Sequence, residues 1–257
     1  LAPVAGVYGV SFGTALLAGA LLALLLGGRA ARVVAVAASV SVVAAAVLLG
    51  RVEWTEPRGT QVSVALVQGA VPQAMKWAPG QRERTIELYF ALTVPHLGAD
   101  IVVWPEAALP ALERDIRGFL DALHATARSR GTGVVMGLLR RDASTGDYYN
   151  AMAAFAATEQ WYDKRRLVPF GEFFPVPAAV RDWLRLMNLP YSDFSPGAQD
   201  QPPLAVAGEA LAPTICYEDA YAAEQLALAR RSTLLVNVTN DAWFGDSTAP
   251  HQHLDIS

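Results

Sequence analysis

Cys216 is the only cysteine among the 257 residues, and it lies in a setting that suits a nucleophile. An apolar run at residues 211–215 leads into it, and Glu218 and Asp219 follow it. A thiol at the end of a strand and beside carboxylates is a plausible catalytic nucleophile. A lone cysteine is also commonly a small buried hydrophobic residue, so the local sequence alone leaves both interpretations open.

Two further motifs supply the groups that a thiol nucleophile needs. Glu106 follows an apolar run that ends in Trp104 and Pro105, and Lys164 precedes the sequence LVPFGE, which ends in Glu172. A free thiol has a pKa of about 8.5, so little of it is thiolate at neutral pH. A nearby carboxylate can take its proton, and a nearby ammonium can stabilise first the thiolate and then an oxyanion.

The elements that must position these residues alternate between strands and helices. We predict strands at residues 62–67, 101–104, 134–137, 151–156 and 234–238, and helices at residues 81–97, 113–130 and 220–231. This alternation, with few charges inside the strands, predicts an α/β layered domain. The carboxyl ends of strands in an open α/β sheet gather at one edge, where sites are usually built.

The first 50 residues have a different character. Residues 1–28 and 33–50 carry no charged side chain, and each is long enough, or nearly so, for a helix to cross about 30 Å of hydrocarbon. Neither shows a polar face, which favours two transmembrane helices over a pair of buried helices in a soluble domain. Polar residues 51–60 are then a linker, and residues 61–257 form the second domain.

Charge and composition narrow the function classes. Arginines lie both between the two apolar stretches and after them, so the positive-inside rule does not decide the membrane orientation. A net charge of -4 gives no reason to expect nucleic-acid binding. The sequence contains neither a glycine-rich phosphate loop nor zinc-ligand spacing, so we expect no cofactor and no metal. The chain begins at Leu1 inside an apolar stretch, and we expect it to be a piece of a longer protein.

Taken together, the motifs carry a resemblance to a known superfamily. Glu106 in WPE, Lys164 before LVPFGE and Cys216 in ICYE look like the Glu-Lys-Cys triad of the nitrilase, or carbon–nitrogen hydrolase, superfamily, and residues 240–245 (NDAWFG) match as well. Within it, the chain resembles the apolipoprotein N-acyltransferases along its whole length. The two apolar stretches, residues 68–77 and the intact LVPFGEFFP run favour that group.

The resemblance implies a fold, a location and a reaction. It implies a nitrilase-like αββα sandwich, preceded by transmembrane α-helices and lying on the periplasmic side of the bacterial inner membrane, in a multi-pass protein with further spans before and after this chain. Cys216 would attack the sn-1 ester of a phospholipid, typically phosphatidylethanolamine, and form a thioester. The N-terminal diacylglyceryl-cysteine of a lipoprotein would then accept the acyl chain.

The same resemblance implies a role for each matched residue. Glu106 would be the general base, Lys164 the oxyanion partner, and Glu172 a second glutamate that positions the lysine. The expected substrate-binding residues are Trp77, Asn150, Tyr217 and Glu218. Two of them have a second interpretation, Glu218 as a structural acid and Trp77 as a cover of the core. We interpret Arg165 and Arg166 as a solvated face.

Two other functions compete with acyl transfer to a lipoprotein. One is hydrolysis of a small amide or nitrile with the same triad, in which water is the second acceptor. The other is a membrane-anchored binding module on a degenerate nitrilase scaffold. The two apolar stretches speak against the first, and the intact Glu106, Lys164 and Cys216 speak against the second.

Overall fold

A computed structural model describes residues 1–54, 56, 59, 61–176 and 194–256. It divides the chain into two compact units, Leu1–Gln61 and Val62–Ser257. The first unit contains helices α1 (Ala2–Leu26) and α2 (Arg29–Leu49), which contact each other. Both helices are long and apolar enough to cross a membrane, and few of their side chains are buried. The two helices therefore lie where the sequence predicts them.

The second unit contains two β-sheets. The larger sheet has five strands: β1 (Val64–Leu66), β2 (Ile101–Trp104), β3 (Gly133–Arg141), β4 (Tyr148–Phe155) and β5 (Glu159–Asp163). They lie in the order of the chain; β1, β2 and β3 are parallel, whereas β4 and β5 each run antiparallel to the strand before. The smaller sheet has three strands: β6 (Leu204–Val206), β7 (Glu209–Ile215) and β8 (Leu234–Val238). In it β7 is antiparallel to β6 and parallel to β8.

Five α-helices accompany the sheets in the part of this unit that the structure describes. They are α3 (Gln73–Lys76), α4 (Gln81–Thr93), α5 (Arg117–Ser129), α6 (Ala222–Ala229) and α7 (Ala249–Ile256). Strand β2 shows how the layers form, because all four of its residues are buried. Val102 and Trp104 pack in one core with residues of α4 and α5, whereas Ile101 and Val103 pack in a second core with residues of the smaller sheet. A strand covered on both faces is apolar throughout, as this run is.

These layers confirm the predicted nitrilase-like αββα sandwich. Helices α4 and α5 cover the outer face of the larger sheet, the two sheets pack face to face, and α6 packs against β7 of the smaller sheet. The close approach of the sheets depends on Gly133, where an added Cβ would lie 2.3 Å from Cγ1 of Val206. The spacing between the two sheets at this point therefore requires glycine, which has no side chain.

Some predicted boundaries were wrong, for identifiable reasons. The helix predicted at residues 81–97 ends at Thr93, and a 3₁₀ turn that contains Pro95 follows it, because proline lacks the N–H that would continue the helix. The strand predicted at residues 134–137 extends over Gly133–Arg141, since its pairing with β4 continues into a polar hairpin. Strands β5 and β6 were not predicted; one is largely polar and the other has three residues.

Candidate active site

Three strand ends bring the predicted catalytic residues together. Glu106 lies two residues after β2, Lys164 directly after β5 and Cys216 directly after β7. The sequence predicts strands before Glu106 and Cys216 but not the strand before Lys164. The two sheets therefore contribute to one site, with Glu106 and Lys164 from the larger sheet and Cys216 from the smaller sheet.

The turn that carries Glu106 is held against strand β3. The amide of Gly137 donates to the carbonyl of Pro105 at 3.2 Å, and the amide of Ala108 donates to the carbonyl of Gly137 at 2.9 Å. A Cβ on Gly137 would lie 2.4 Å from Cα of Glu106. Glycine at position 137 therefore lets the strand approach closely enough to fix the backbone of Glu106.

Lys164 is shared by two carboxylates. Its Nζ lies 3.2 Å from Oε1 of Glu106 and 3.0 Å from Oε1 of Glu172, and its side chain is 1% exposed. Burial by itself would lower the pKa of Lys164, but Glu106 and Glu172 raise it, and the net pKa lies above its ordinary value. The lysine is therefore a permanent cation in this site at neutral pH.

Asn150 ties the same two carboxylates to each other. Its Nδ2 donates to Oε1 of Glu106 at 2.6 Å and to Oε1 of Glu172 at 2.7 Å. The backbone carbonyl of Asn150 accepts from the amide of Lys164 at 2.8 Å. Asn150 is buried on strand β4, so its side-chain amide contacts the two glutamates, and its expected contact with substrate stays a prediction.

Backbone amides satisfy the outer oxygens of both glutamates. The amide of Val168 donates to Oε2 of Glu172 at 2.8 Å, and the amide of Asn240 donates to Oε2 of Glu106 at 3.0 Å. Each carboxylate therefore has a donor on both of its oxygens, which fixes its orientation. Glu172 is thus oriented by an amide of its own LVPFGE loop.

Cys216 stands at a strained corner between β7 and a 3₁₀ helix, Cys216–Ala220. Its φ of 54° lies in the left-handed region that non-glycine residues rarely adopt, and such strain is common at functional sites. Burial and the charge of Glu106 raise the pKa of Cys216 to about 11, whereas Lys164 and a hydrogen bond with Thr239 act in the opposite direction. At neutral pH the group is a thiol, and it needs a base to become a nucleophile.

Glu218 is fully buried, and its carboxylate joins the Cys216 turn to the segment after Lys164. It accepts the amide of Ile215 at 2.9 Å and the amides of Arg165 and Arg166 at 2.7 and 3.1 Å. The hydroxyl of Tyr162 lies 3.1 Å from the same carboxylate. These contacts leave no surface for a substrate, so they favour the structural interpretation of Glu218 over the substrate-binding one.

The other two expected substrate contacts are accessible. The ring of Trp77 is 54% exposed, which rules against the alternative that it covers the core. Tyr217 is half-buried; its hydroxyl donates to the carbonyl of Leu167 at 3.1 Å, and its ring packs edge-to-face on Tyr221. Burial raises the pKa of Tyr217, so the hydroxyl stays protonated and remains a donor.

Arg165 does not belong to a solvated face, in contrast to the sequence interpretation. Its side chain is buried, and its guanidinium donates to Oε1 of Gln225 at 2.6 Å and to the hydroxyl of Tyr162 at 3.0 Å. Arg166 is exposed and pairs with Glu224, as expected of a surface charge. The two arginines therefore contact neighbouring residues of α6, one from a buried and one from an exposed position.

The sequence analysis missed several residues around Glu106. Oε1 of Gln73 on α3 accepts from Nδ2 of Asn240 at 3.0 Å, and so joins this short helix to the loop after β8. Burial lowers the pKa of Lys76 to about 8, against the opposing charge of Glu106. The only sequence signals for these residues were the matches at residues 68–77 and 240–245, which identify the segments without giving the contacts.

The opposed influences on Cys216 predict opposite effects of two substitutions. Glu106→Gln removes an anion that disfavours the thiolate, so the pKa of Cys216 falls by about one unit or more. Lys164→Met removes the stabilising cation, so the pKa rises. The measurement is the rate of iodoacetamide alkylation as a function of pH, which is unambiguous because the chain has one cysteine. Glu87→Gln, on the exposed side of α4, is the control and leaves the profile unchanged. A midpoint that rises in Glu106→Gln would contradict the electrostatic description of the site.

Comparison with known proteins shows the family of this chain. Residues 63–257 match the family model described as carbon-nitrogen hydrolase. An apolipoprotein N-acyltransferase of Methylococcus capsulatus is 41% identical over 254 residues, which are 98% of this chain and 50% of that protein. An apolipoprotein N-acyltransferase of Chromobacterium violaceum is 37% identical over 258 residues, which are 100% of this chain and 50% of that protein. The chain thus spans about half the length of these relatives.

The solved structures that the chain matches have lower sequence identity. An amidase from Nesterenkonia sp. AN1 is 19% identical with a TM-score of 0.49, over 79% of this chain and 73% of that chain. The family match, in contrast, extends over nearly the whole of the two-sheet unit that carries Glu106, Lys164 and Cys216. On that match, the chain belongs to the carbon–nitrogen hydrolase family.

Proposed function

We propose that this chain carries the acyl-transfer site of an apolipoprotein N-acyltransferase. One observation carries the proposal. The carbon–nitrogen hydrolase match begins at residue 63, whereas the similarity to the two apolipoprotein N-acyltransferases described above runs over 98% and 100% of the chain and so includes both apolar helices. A hydrolase of small amides has no need of that segment, while an enzyme that takes its substrate from a bilayer does.

In the first half-reaction, Cys216 takes an acyl chain from a phospholipid. Glu106 accepts the thiol proton as the sulfur attacks the carbonyl carbon of the sn-1 ester, and the carbonyl oxygen becomes an oxyanion. Lys164, a buried cation, stabilises that oxyanion. The ester C–O bond then breaks, the proton on Glu106 passes to the leaving alkoxide, and a lysophospholipid departs from a thioester on Cys216.

In the second half-reaction, the acyl chain moves to an amine. The free α-amino group of a diacylglyceryl-cysteine attacks the thioester carbon and gives a proton to Glu106. The tetrahedral intermediate collapses with cleavage of the C–S bond, and the proton returns to the sulfur. The products are an amide and a free Cys216. Both half-reactions therefore need only the groups of this chain and its two substrates.

Glu172 and Asn150 support this chemistry without reacting. Glu172 holds Nζ of Lys164 at 3.0 Å as a second carboxylate beside Glu106, and Asn150 donates to both glutamates. When Glu106 becomes protonated during the reaction, the negative charge of Glu172 still balances the positive charge of Lys164. A lysine with a single carboxylate would lose its partner at the step in which it must stabilise the oxyanion.

Exposed aromatic rings support a lipid as the acyl donor. Trp77 follows α3, Phe170 lies two residues before Glu172, and Trp243 lies three residues after Asn240. All three rings are among the exposed large hydrophobic side chains. Such rings suit contact with an acyl chain or a bilayer interface, and phosphatidylethanolamine is the donor that we propose.

Mass spectrometry of the intact protein tests the proposal. After incubation with phosphatidylethanolamine vesicles, we expect the protein to gain the mass of one acyl group, located at Cys216 and removed by hydroxylamine. A peptide with an N-terminal diacylglyceryl-cysteine should then discharge the adduct and gain the acyl chain. Cys216→Ser, which changes the side-chain volume little, is the control and should stay folded without forming a thioester.

The same experiment separates the competing functions. Acylation of Cys216 by a small amide, without acylation by phospholipid, would replace the proposal with amide hydrolysis. A thioester that water discharges as fast as the diacylglyceryl peptide would do the same. A folded protein that forms no adduct with either donor would favour a binding module.

We further propose that the protein is a multi-pass protein of the bacterial inner membrane, with residues 61–257 in the periplasm. The two apolar helices and the lipoprotein acceptor support this location. Ser144 lies on the exposed turn between β3 and β4, so Ser144→Cys in a Cys216→Ser background should react with an impermeant maleimide in intact spheroplasts. Labelling that requires permeabilised membranes would place the domain in the cytoplasm instead.

A further inference from the structure

The loop that follows strand β8 touches both the base and the nucleophile. The amide of Asn240 donates to Oε2 of Glu106 at 3.0 Å. The neighbouring Thr239 hydroxyl donates to Asp241 at 2.9 Å, and its proximity to Cys216 lowers the pKa of the thiol. Any shift of this loop would therefore change the geometry of two reacting groups at once.

His253, on helix α7, holds this loop in place. Its Nδ1 lies 2.8 Å from Oδ1 of Asp241, and the hydroxyl of Thr239 donates to the same oxygen at 2.9 Å. The imidazole is buried, with 8% of the residue exposed. The mechanism above gives this histidine no role, and the sequence analysis assigned it none.

The other nitrogen of His253 faces the turn of the nucleophile. Nε2 lies 3.5 Å from Oδ2 of Asp219, which is in the 3₁₀ helix that begins at Cys216. Nδ2 of Asn237 donates to the same Asp219 oxygen at 2.8 Å and to the carbonyl of Cys216 at 2.9 Å. His253 thus lies between one carboxylate of the nucleophile turn and one of the β8 loop.

The two carboxylates favour the charged form of this histidine. Burial lowers the pKa of His253, but Asp241 and Asp219 raise it, and the net pKa lies above its ordinary value. In the protonated imidazole, Nδ1–H donates to Asp241 at 2.8 Å, while Nε2 lies 3.5 Å from Asp219, at an ion-pair distance. The charge therefore links the two segments that carry Cys216 and Thr239.

We propose that His253 is a positioning residue of the acyl-transfer site, which acts by bridging Asp219 and Asp241 and so presents the Thr239 hydroxyl to Cys216. Thr239 has one hydroxyl proton, so it cannot donate to Asp241 and to the sulfur at the same time. An imidazolium that donates to Asp241 allows that proton to turn toward the sulfur as negative charge develops there. The inference on catalysis rests on the proposed function, whereas the inference on thiol reactivity does not.

Alkylation of Cys216 by iodoacetamide, in the intact protein at one fixed pH, tests the bridge. We expect His253→Gln and Thr239→Val each to slow alkylation about tenfold, the effect of losing one hydrogen bond to a charged group. Because His253 acts through Thr239, the double variant should be no slower than the slower single variant. His251→Gln, an exposed histidine on the same helix, is the matched control and should react at the wild-type rate.

Turnover of phospholipid adds a readout that a purely structural role would not reproduce. We expect His253→Gln to lower kcat with an unchanged KM for the phospholipid, since the bridge acts on the nucleophile and not on lipid binding. Normal alkylation in His253→Gln, or losses that multiply fully in the double variant, would overturn the proposal. If the variants are alkylated slowly but the unmodified protein forms no thioester with phospholipid, the bridge is supported and the proposed function is rejected.

A second pair of variants covers the case in which His253→Gln does not fold. Asp219→Asn and Asp241→Asn each remove one side of the bridge and keep the side-chain shape. We expect each to slow alkylation of Cys216, because either change releases one of the two segments. Wild-type alkylation rates in both variants would overturn the proposal.

Discussion

The site depends on one buried ammonium group that has to satisfy two carboxylates. Nζ of Lys164 lies 3.2 Å from Glu106 and 3.0 Å from Glu172, and almost none of its side chain is exposed. Removing one partner from a buried ion pair typically costs about 3–5 kcal/mol, because an uncompensated charge remains. These ion pairs therefore hold together the segments after β2 and β5 and the LVPFGE loop. Hydrophobic packing does not supply this constraint.

The hydrogen bonds around this group follow from that constraint. A buried carboxylate is tolerated when both of its oxygens are paired. Asn150 serves one oxygen of each glutamate, and the amides of Val168 and Asn240 serve the others. Through the amide of Asn240, the loop after β8 thereby orients Glu106. Through Thr239, the same loop also lowers the pKa of Cys216.

The same arrangement decides how the thiol is activated. Burial and the negative charge of Glu106 outweigh the ammonium of Lys164, so the pKa of Cys216 rises to about 11. A stable thiolate is therefore not the resting state. In the proposed mechanism the proton moves to Glu106 as the sulfur attacks, while the left-handed backbone of Cys216 keeps the thiol at the strained corner after β7.

Local sequence patterns gave part of this site and could not give the rest. The apolar runs before Glu106 and Cys216 predict strands, so both residues were expected at strand ends. The strand before Lys164 is largely polar at the edge of its sheet and shows no such pattern. The contacts of Asn150 with Glu106 and of Glu218 with Arg165 join residues 44 and 53 positions apart. Hydrophobic periodicity relates residues only a few positions apart, so it cannot predict contacts over such separations. The burial of Glu218 and the contacts of Asn150 were therefore visible only in the structure.

Single-turnover formation of the thioester in Glu106→Gln, Lys164→Ala and the double variant tests the central claim most directly. The base and the oxyanion partner are each expected to contribute roughly 10²- to 10⁴-fold in rate. If both act through one ion-paired site with Cys216, the double variant is little slower than the slower single variant. Losses that multiply fully would mean that Glu106 and Lys164 act independently, which would contradict this account of the site.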